Sequence, residues 1–163
     1  MRIRSEEQHD AAAIAETIES AFRGADHSSG TEAKIVDALR RCGALAVSLV
    51  ATEEDAVVGH VAISPVSVAN EAGWYGLGPV SVRPERQRNG IGALLVSEAV
   101  KRLEESGAAG CVVLGDPDFY GKFGFTHDPN VTYADGPPPF FQVLSFRQER
   151  PKGAVFYHPA FGE

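Results

Sequence analysis

The segment RPERQRNGIG, Arg83 to Gly92, sets three arginines, a glutamine and an asparagine directly before a Gly-x-Gly and an apolar stretch. Amides in the first turn of a helix have no intrahelical carbonyl to bond and carry partial positive charge. Glycines at Gly90 and Gly92 let an anion reach those amides with no Cβ in the way. Arg83, Arg86 and Arg88 add guanidinium donors suited to phosphate oxygens. The chemistry this permits is the gripping of a phosphate-bearing ligand. A helix cap dressed with solvated arginines explains the loop equally well when it is taken alone. The segment is no Walker loop, because Gly-Lys-Ser/Thr is missing. Nor is it a dinucleotide fingerprint: the third glycine is absent, and Asp116 closes the next strand too far on.

Such a turn works only between a strand and a helix. Behind it, Ile91, Leu94, Leu95, Ala99, Val100 and Leu103 form one helical face, and Gly107 is a natural stop. Ahead of it, GWYGLGPVSV (73–82) reads as a strand with Gly76, Gly78 and Pro79 in its interior. Glycine and proline there mark a bulge or a close backbone approach. Further upstream, LAVSLVAT and AVVGHVAISPVSV alternate as strands joined by the turn EEDA. RIRS reads as a short edge strand. The spacing of Ser5 and Gln8 predicts a capping box and a helix near residues 6–22. Ser29 with Glu32 predicts a second helix ending near Cys42. Downstream, CVVLG is apolar throughout, as in a buried central strand. DPDFYGKFGF predicts a short helix breaking at Gly124, followed by another strand. Beyond DGPPPF, the segments FFQVLSF and GAVFY read as closing strands. No repeat or linker interrupts this order, so residues 1–163 form one α/β domain.

The 163 residues, 44% hydrophobic and 23% charged, suit a single domain with a sizeable core. A net charge of −7 argues against a nucleic-acid partner, which needs a basic face. No apolar run is long enough to cross a bilayer, and MRIRSEEQHD lacks the marks of a signal peptide, so no membrane partner is expected. Cys42 and Cys111, both in apolar settings, suit a reducing cytoplasm. The histidines show no paired ligand spacing, so no metal is expected. FFQVLSF and AVFYHPAF are apolar enough to form a homodimer contact or to complete the sheet, and both stay open.

VSVRPERQRNGIGALLVSEAVKRLEESG resembles the acetyl-CoA motif of the GNAT superfamily of N-acetyltransferases. The signature Gln/Arg-x-x-Gly-x-Gly/Ala is matched by Gln87, Gly90 and Gly92, and the preceding Val-x-Pro by Val82, Arg83 and Pro84. A later aromatic motif, Tyr-x-Lys-x-Gly-Phe, is matched by Tyr120, Lys122, Gly124 and Phe125. The order of elements agrees over most of the chain. GDPDFYGKFGF with the HPAF ending is similar to a YhbS-type subgroup. The resemblance implies a GNAT-like α/β fold, with a mixed, mostly antiparallel twisted sheet flanked by helices and splayed at the cofactor-binding strand. It implies acetyl-CoA as acyl donor, its diphosphate held by the loop Gln87, Arg88, Asn89, Gly90, Ile91, Gly92 and Ala93. The pantetheine arm would pair along Val80, Ser81 and Val82. The implied reaction moves the acetyl group to a primary amine of a small molecule or peptide by direct attack in a ternary complex. A domain that binds acyl-CoA as a sensor or scaffold without turnover would carry the same loop. A nucleotide-binding module unrelated to CoA is disfavoured by the missing lysine and by the match at FYGKFGF.

A thioester is already activated, so alignment with the amine carries much of the acceleration. A strand N–H at Val80 or Val82 suits the developing carbonyl charge. By the resemblance, Tyr120 lies beside the CoA sulfur. Its phenol is the candidate acid for the leaving thiolate, with a merely anchoring hydroxyl as the alternative. The attacking amine must lose a proton to a base or a water chain. Glu32, Glu71, His60, Asp116 and Asp118 are candidates, each equally explained by capping, turn solvation or burial. Ordered water is a serious contender for the same role. Asp26 and His27 in the loop AFRGADHSSG, with Glu32 and Asp116, are the weak candidates for acceptor binding. The acidic balance is compatible with a cationic acceptor.

Overall fold

The computed structural model describes residues 1–23 and 30–162. The alternating residues fold into two long antiparallel strands, β2 (Val47–Glu53) and β3 (Ala56–Val68). Their connection is tighter than EEDA suggests. Only Glu54 and Asp55 turn, both at positive φ, as the twist of a two-residue hairpin requires. β1 (Arg2–Ser5) pairs β2 at the sheet edge, and β4 (Trp74–Val82) pairs the other side of β3. Then β5 (Gly110–Leu114) runs parallel to β4, and β7 (Phe141–Ser145) runs antiparallel to β5. The two-residue β6 (Val131–Thr132) pairs β8 (Gly153–Tyr157), which folds back onto the end of β3. The main sheet order is β1-β2-β3-β4-β5-β7.

Period-two alternation sends neighbouring residues to opposite faces, and different elements cover each face. On one face, α3 (Ile91–Glu105) buries Ile91, Leu95, Val96, Ala99 and Leu103 against Leu49, Val61, Ile63 and Leu77. On the other, α1 (Ala11–Phe22) and α2 (Glu32–Arg41) bury Ile14, Ile18 and Val36 against Val50 and Ala62. That second face continues into an aromatic layer, where Tyr133, Phe141 and Tyr157 pack with Val66, Trp74 and Val112.

Three local expectations change. Ser5 does not cap a helix: it stays in β1 opposite Leu49. The chain instead makes one 3-10 turn at Gln8–Asp10, whose Asp10 carboxylate accepts the Glu7 N–H at 2.6 Å, and α1 begins only at Ala11. Thr31 stands in the N-cap position of α2, and Ser29 lies outside the described residues. The strand expected directly after Gly124 shrinks to an isolated bridge, and the next strand is the two-residue β6. Thr126 makes that bridge to Val143 of β7, through two backbone bonds of 2.9 and 2.7 Å.

Candidate active site

β4 and β5 pair over only three residues, Trp74–Gly76 with Gly110–Val112. Beyond Gly76 they part. β4 runs on to Val82 beside β3 alone, while Val113 and Leu114 stay with β7. The cause is visible in β4. Gly78 (φ 139°) and Pro79 together face Ala62, an extra residue that bulges the strand. The divergence leaves a V-shaped opening in the middle of the sheet.

The bond from Arg83 N–H to Val58 O, 2.9 Å, fixes the phase of the β3–β4 ladder. Alternation then turns the backbone groups of Ser81 toward His60 and those of Val80 and Val82 outward, into the opening. Val80 and Val82 therefore present their backbone groups to the opening. Ser81 does not face the opening: its backbone belongs to the β3 ladder and its side chain is buried on the α1 face. One of the outward groups is already engaged, because the Gln87 amide donates to Val82 O at 2.9 Å. Gln87 thus holds the turn to the strand.

Between β4 and α3 the chain makes a 3-10 turn at Pro84–Arg86 and then two left-handed residues, Arg88 (φ 66°) and Gly90 (φ 80°). The Asn89 amide donates to the carbonyls of Arg86 and Gln87, both at 3.2 Å, which locks the loop from inside. No side chain caps α3. Leu94 makes the first bond of the helix, to Gly90 O, so the amides of Ile91, Gly92 and Ala93 face outward. A Cβ built on Gly92 would meet Val82 at 3.8 Å and Phe119 at 3.9 Å, ordinary contacts. Nothing in the protein excludes a side chain there. What a side chain would fill is the space through which an anion reaches the amides.

The arginines divide. Arg83 donates to Val57 O at 2.9 Å and lies 3.7 Å from Glu16, while Arg86 forms a bidentate pair with Glu53 at 2.6 and 2.8 Å. Arg88 is exposed with no protein partner among the described residues, so its guanidinium is uncommitted, unlike those of Arg83 and Arg86. A separate hollow of about 470 Å³ is lined by Arg83 and His9, but also by Asp10, Asp55 and Glu85. That carboxylate rim repels an anionic ligand.

Tyr120 ends α4 (Pro117–Tyr120) on the α3 side of the opening. Its ring lies against Gly115, where any Cβ would collide with it, and meets Phe119 and Phe125 edge-on at 4.9 and 6.0 Å. Its hydroxyl has no protein partner among the described residues. Burial, with the nearby Cys111 adding to it, pushes the phenol up to about 12, so it stays a proton donor. Gly115 was missed as a positioning residue. Its signal was a glycine placed directly before the Asp-Pro that starts α4.

The other candidates disperse. Asp116 is the N-cap of α4 and accepts the Asp118 N–H at 2.9 Å; both carboxylates are exposed. Glu71 lies in the β3–β4 turn, at the far end of β4 from Val80. Glu32 opens α2 and, with Glu19, lines a 280 Å³ hollow between α1 and α2. Asp26 and His27 fall outside the described residues. His60 is fully buried on the α1 face. Ser48 gives its proton to Glu6, which Arg40 holds at 2.7 and 3.1 Å, so Ser48 Oγ accepts from His60 Nε2 at 2.8 Å. Desolvation pulls His60 down to about 4, a neutral imidazole within a structural network. Among the described residues, no three His, Cys, Asp or Glu side chains gather as a metal site, and no helix is long and apolar enough to cross a membrane.

An open helix N-terminus beside an unpaired, bulged strand edge defines an acyl-carrier cleft. A family profile described as "Acetyltransferase (GNAT) domain" matches residues 45–127. The chain belongs to the GNAT family of acetyltransferases. It is 36% identical to the protein named "Uncharacterized N-acetyltransferase YhbS" of Escherichia coli, over 99% of this chain and 98% of that one. Among solved structures, a GNAT family acetyltransferase of Brucella melitensis in complex with acetyl-CoA is 47% identical with a TM-score of 0.87, covering 98% of this chain and 97% of that one. The YhbS structure of Escherichia coli in complex with CoA is 34% identical with a TM-score of 0.90, covering 99% and 92%.

Proposed function

We propose that this acetyltransferase takes its acetyl group from acetyl-CoA and gives it to a primary amine of a small molecule or peptide, in one ternary complex. The observation that carries this reading is a coincidence of two features at one cleft. The outward amides of Ile91, Gly92 and Ala93 suit the diphosphate, and the free backbone edge at Val80 and Val82 suits the peptide-like pantetheine arm. The CoA complexes of the two full-length structural relatives support the same donor. The donor supplies an activated thioester, and the protein's part is alignment, charge stabilisation and proton handling. The N–H of Val80 points into the opening and serves the carbonyl oxygen as negative charge builds on it. Tyr120 Oη keeps its proton at neutral pH and delivers it to the departing sulfur. The two free thiols, Cys42 exposed and Cys111 buried, accord with a cytoplasmic setting.

Calorimetry with acetyl-CoA, followed by thiol release across a panel of amines, tests the reading. Saturable binding with amine-dependent release supports it. Binding without release from any amine would favour an acyl-CoA sensor, and no binding would end it.

A further inference from the structure

Two substrates must meet at the opening between β4 and β5 without sharing space. The coenzyme side is the α3 face, where Gly92, Val82 and Tyr120 lie. An acceptor therefore comes from the opposite face, between α1 and α2 and the layer built on β8. One side chain of that layer reaches the fork itself. Tyr157 of β8 pairs with Val66 and presses on Gly76, the last β4 residue bonded to β5. A Cβ on Gly76 would lie 2.7 Å from Tyr157 Cε2. The ring is fixed by Tyr133 and Phe161, at centroid distances of 5.0 and 5.1 Å. Its hydroxyl, like that of Tyr120, has no protein partner among the described residues. The titratable groups that act on it are Cys111, Tyr133 and Tyr120, and burial, the first cause, raises its pKa.

We infer that Tyr157 is the acceptor-side contact of the reaction: its Oη accepts an N–H of the incoming amine and so aims the nitrogen lone pair through the fork at the thioester carbon. The inference rests on the proposed acetyl transfer. As the N–C bond forms, the C–S bond breaks and its electron pair leaves on sulfur. Sulfur takes the Tyr120 proton, and the proton shed by nitrogen returns to Tyr120 through water. Tyr157 neither gains nor loses a proton. It is a locked neutral phenol on one face, opposite the phenol that serves the sulfur on the other. Nothing local to the chain marks this role, because Tyr157 lies in a closing strand, GAVFY, far along the chain from either motif.

The test compares wild type with Tyr157→Phe, using acetyl-CoA with spermidine, kanamycin, L-lysine and the peptide Ala-Gly-Gly as probes. The variant should bind acetyl-CoA within about twofold of wild type and melt at nearly the same temperature. Its kcat/KM for whichever amine is used best should fall about 10- to 100-fold, as for one lost orienting hydrogen bond. Equal kcat/KM in the two proteins overturns the role of Tyr157 and leaves acetyl transfer standing. If wild type fails to bind acetyl-CoA, the proposed function and this inference fall together. A second readout needs no turnover. With 13Cζ-labelled tyrosine, the Tyr157 resonance of the acetyl-CoA complex should move when one of these amines is added. A Tyr157 signal that stays still with all of them overturns the inference.

Discussion

Replacing Gly92 by leucine should raise stability and destroy coenzyme binding at once. Position 92 is the second residue of α3, and a Cβ there has only ordinary contacts, to Val82 at 3.8 Å and Phe119 at 3.9 Å. The fold therefore accepts the side chain. Leucine is about 0.8 kcal/mol better than glycine in a helix, which for a domain of this size raises Tm by roughly 2–3 °C. The isobutyl group then stands before the amides of Ile91, Gly92 and Ala93. Losing two charge-assisted bonds to the diphosphate, at about 1.5–3 kcal/mol each, costs about 3–6 kcal/mol. Kd for CoA should weaken by roughly two to four orders of magnitude. Calorimetric titration with CoA beside a thermal melt reads both effects, and Gly92→Ala should lie between the two proteins. A folded Gly92→Leu variant that binds CoA within about threefold of wild type would refute the amide grip.

Tyr120→Phe should lower kcat about 10- to 100-fold while KM for acetyl-CoA changes less than about twofold; full turnover would remove the acid role. Because Tyr120 is held up to about 12, wild-type kcat should show no decline from its ionisation below about pH 10. Arg88→Ala should weaken CoA binding about tenfold and flatten its salt dependence, whereas Arg86→Ala, whose guanidinium is engaged with Glu53, should shift affinity by less than about threefold. Equal losses in titrations at two salt concentrations would contradict that division. For His60, the unfolded chain titrates near the ordinary imidazole value of 6.5, and burial pulls the folded protein down to about 4. The unfolded state binds the proton first as pH falls. Stability is thus complete above 6.5 and is lost on the way down, by about 3 kcal/mol once pH 4 is reached. Urea unfolding at pH 7 and 4.5 should show a loss about 2 kcal/mol smaller in His60→Gln; equal losses would assign the acid sensitivity elsewhere.

Two kinds of information separate in this protein. Local chemistry was legible in the chain. Gly90 is demanded by a left-handed cap, α3 is written in its apolar face, and Gly78-Pro79 marks the bulge that opens the sheet, all effects of neighbours within a few residues. The same is true of Gln87, Gly90 and Gly92 as a signature, although the role of Gln87 as a clamp on Val82 O appears only in three dimensions. Phase and partnership were not legible. Whether Ser81 or its neighbours face the opening depends on the ladder set by Arg83 and Val58, and the sign of that alternation is a tertiary fact. Arg86 looks like a phosphate ligand until Glu53, 33 residues away, takes its guanidinium. Tyr157 becomes part of the fork only because β8 folds back on β3 and lays a ring where Gly76 leaves room. Sequence determines what each short segment can do, since propensities, caps and glycine turns act locally. Which atoms are left free to do it is decided by long-range pairing, because a donor or charge is available only when no distant partner has satisfied it.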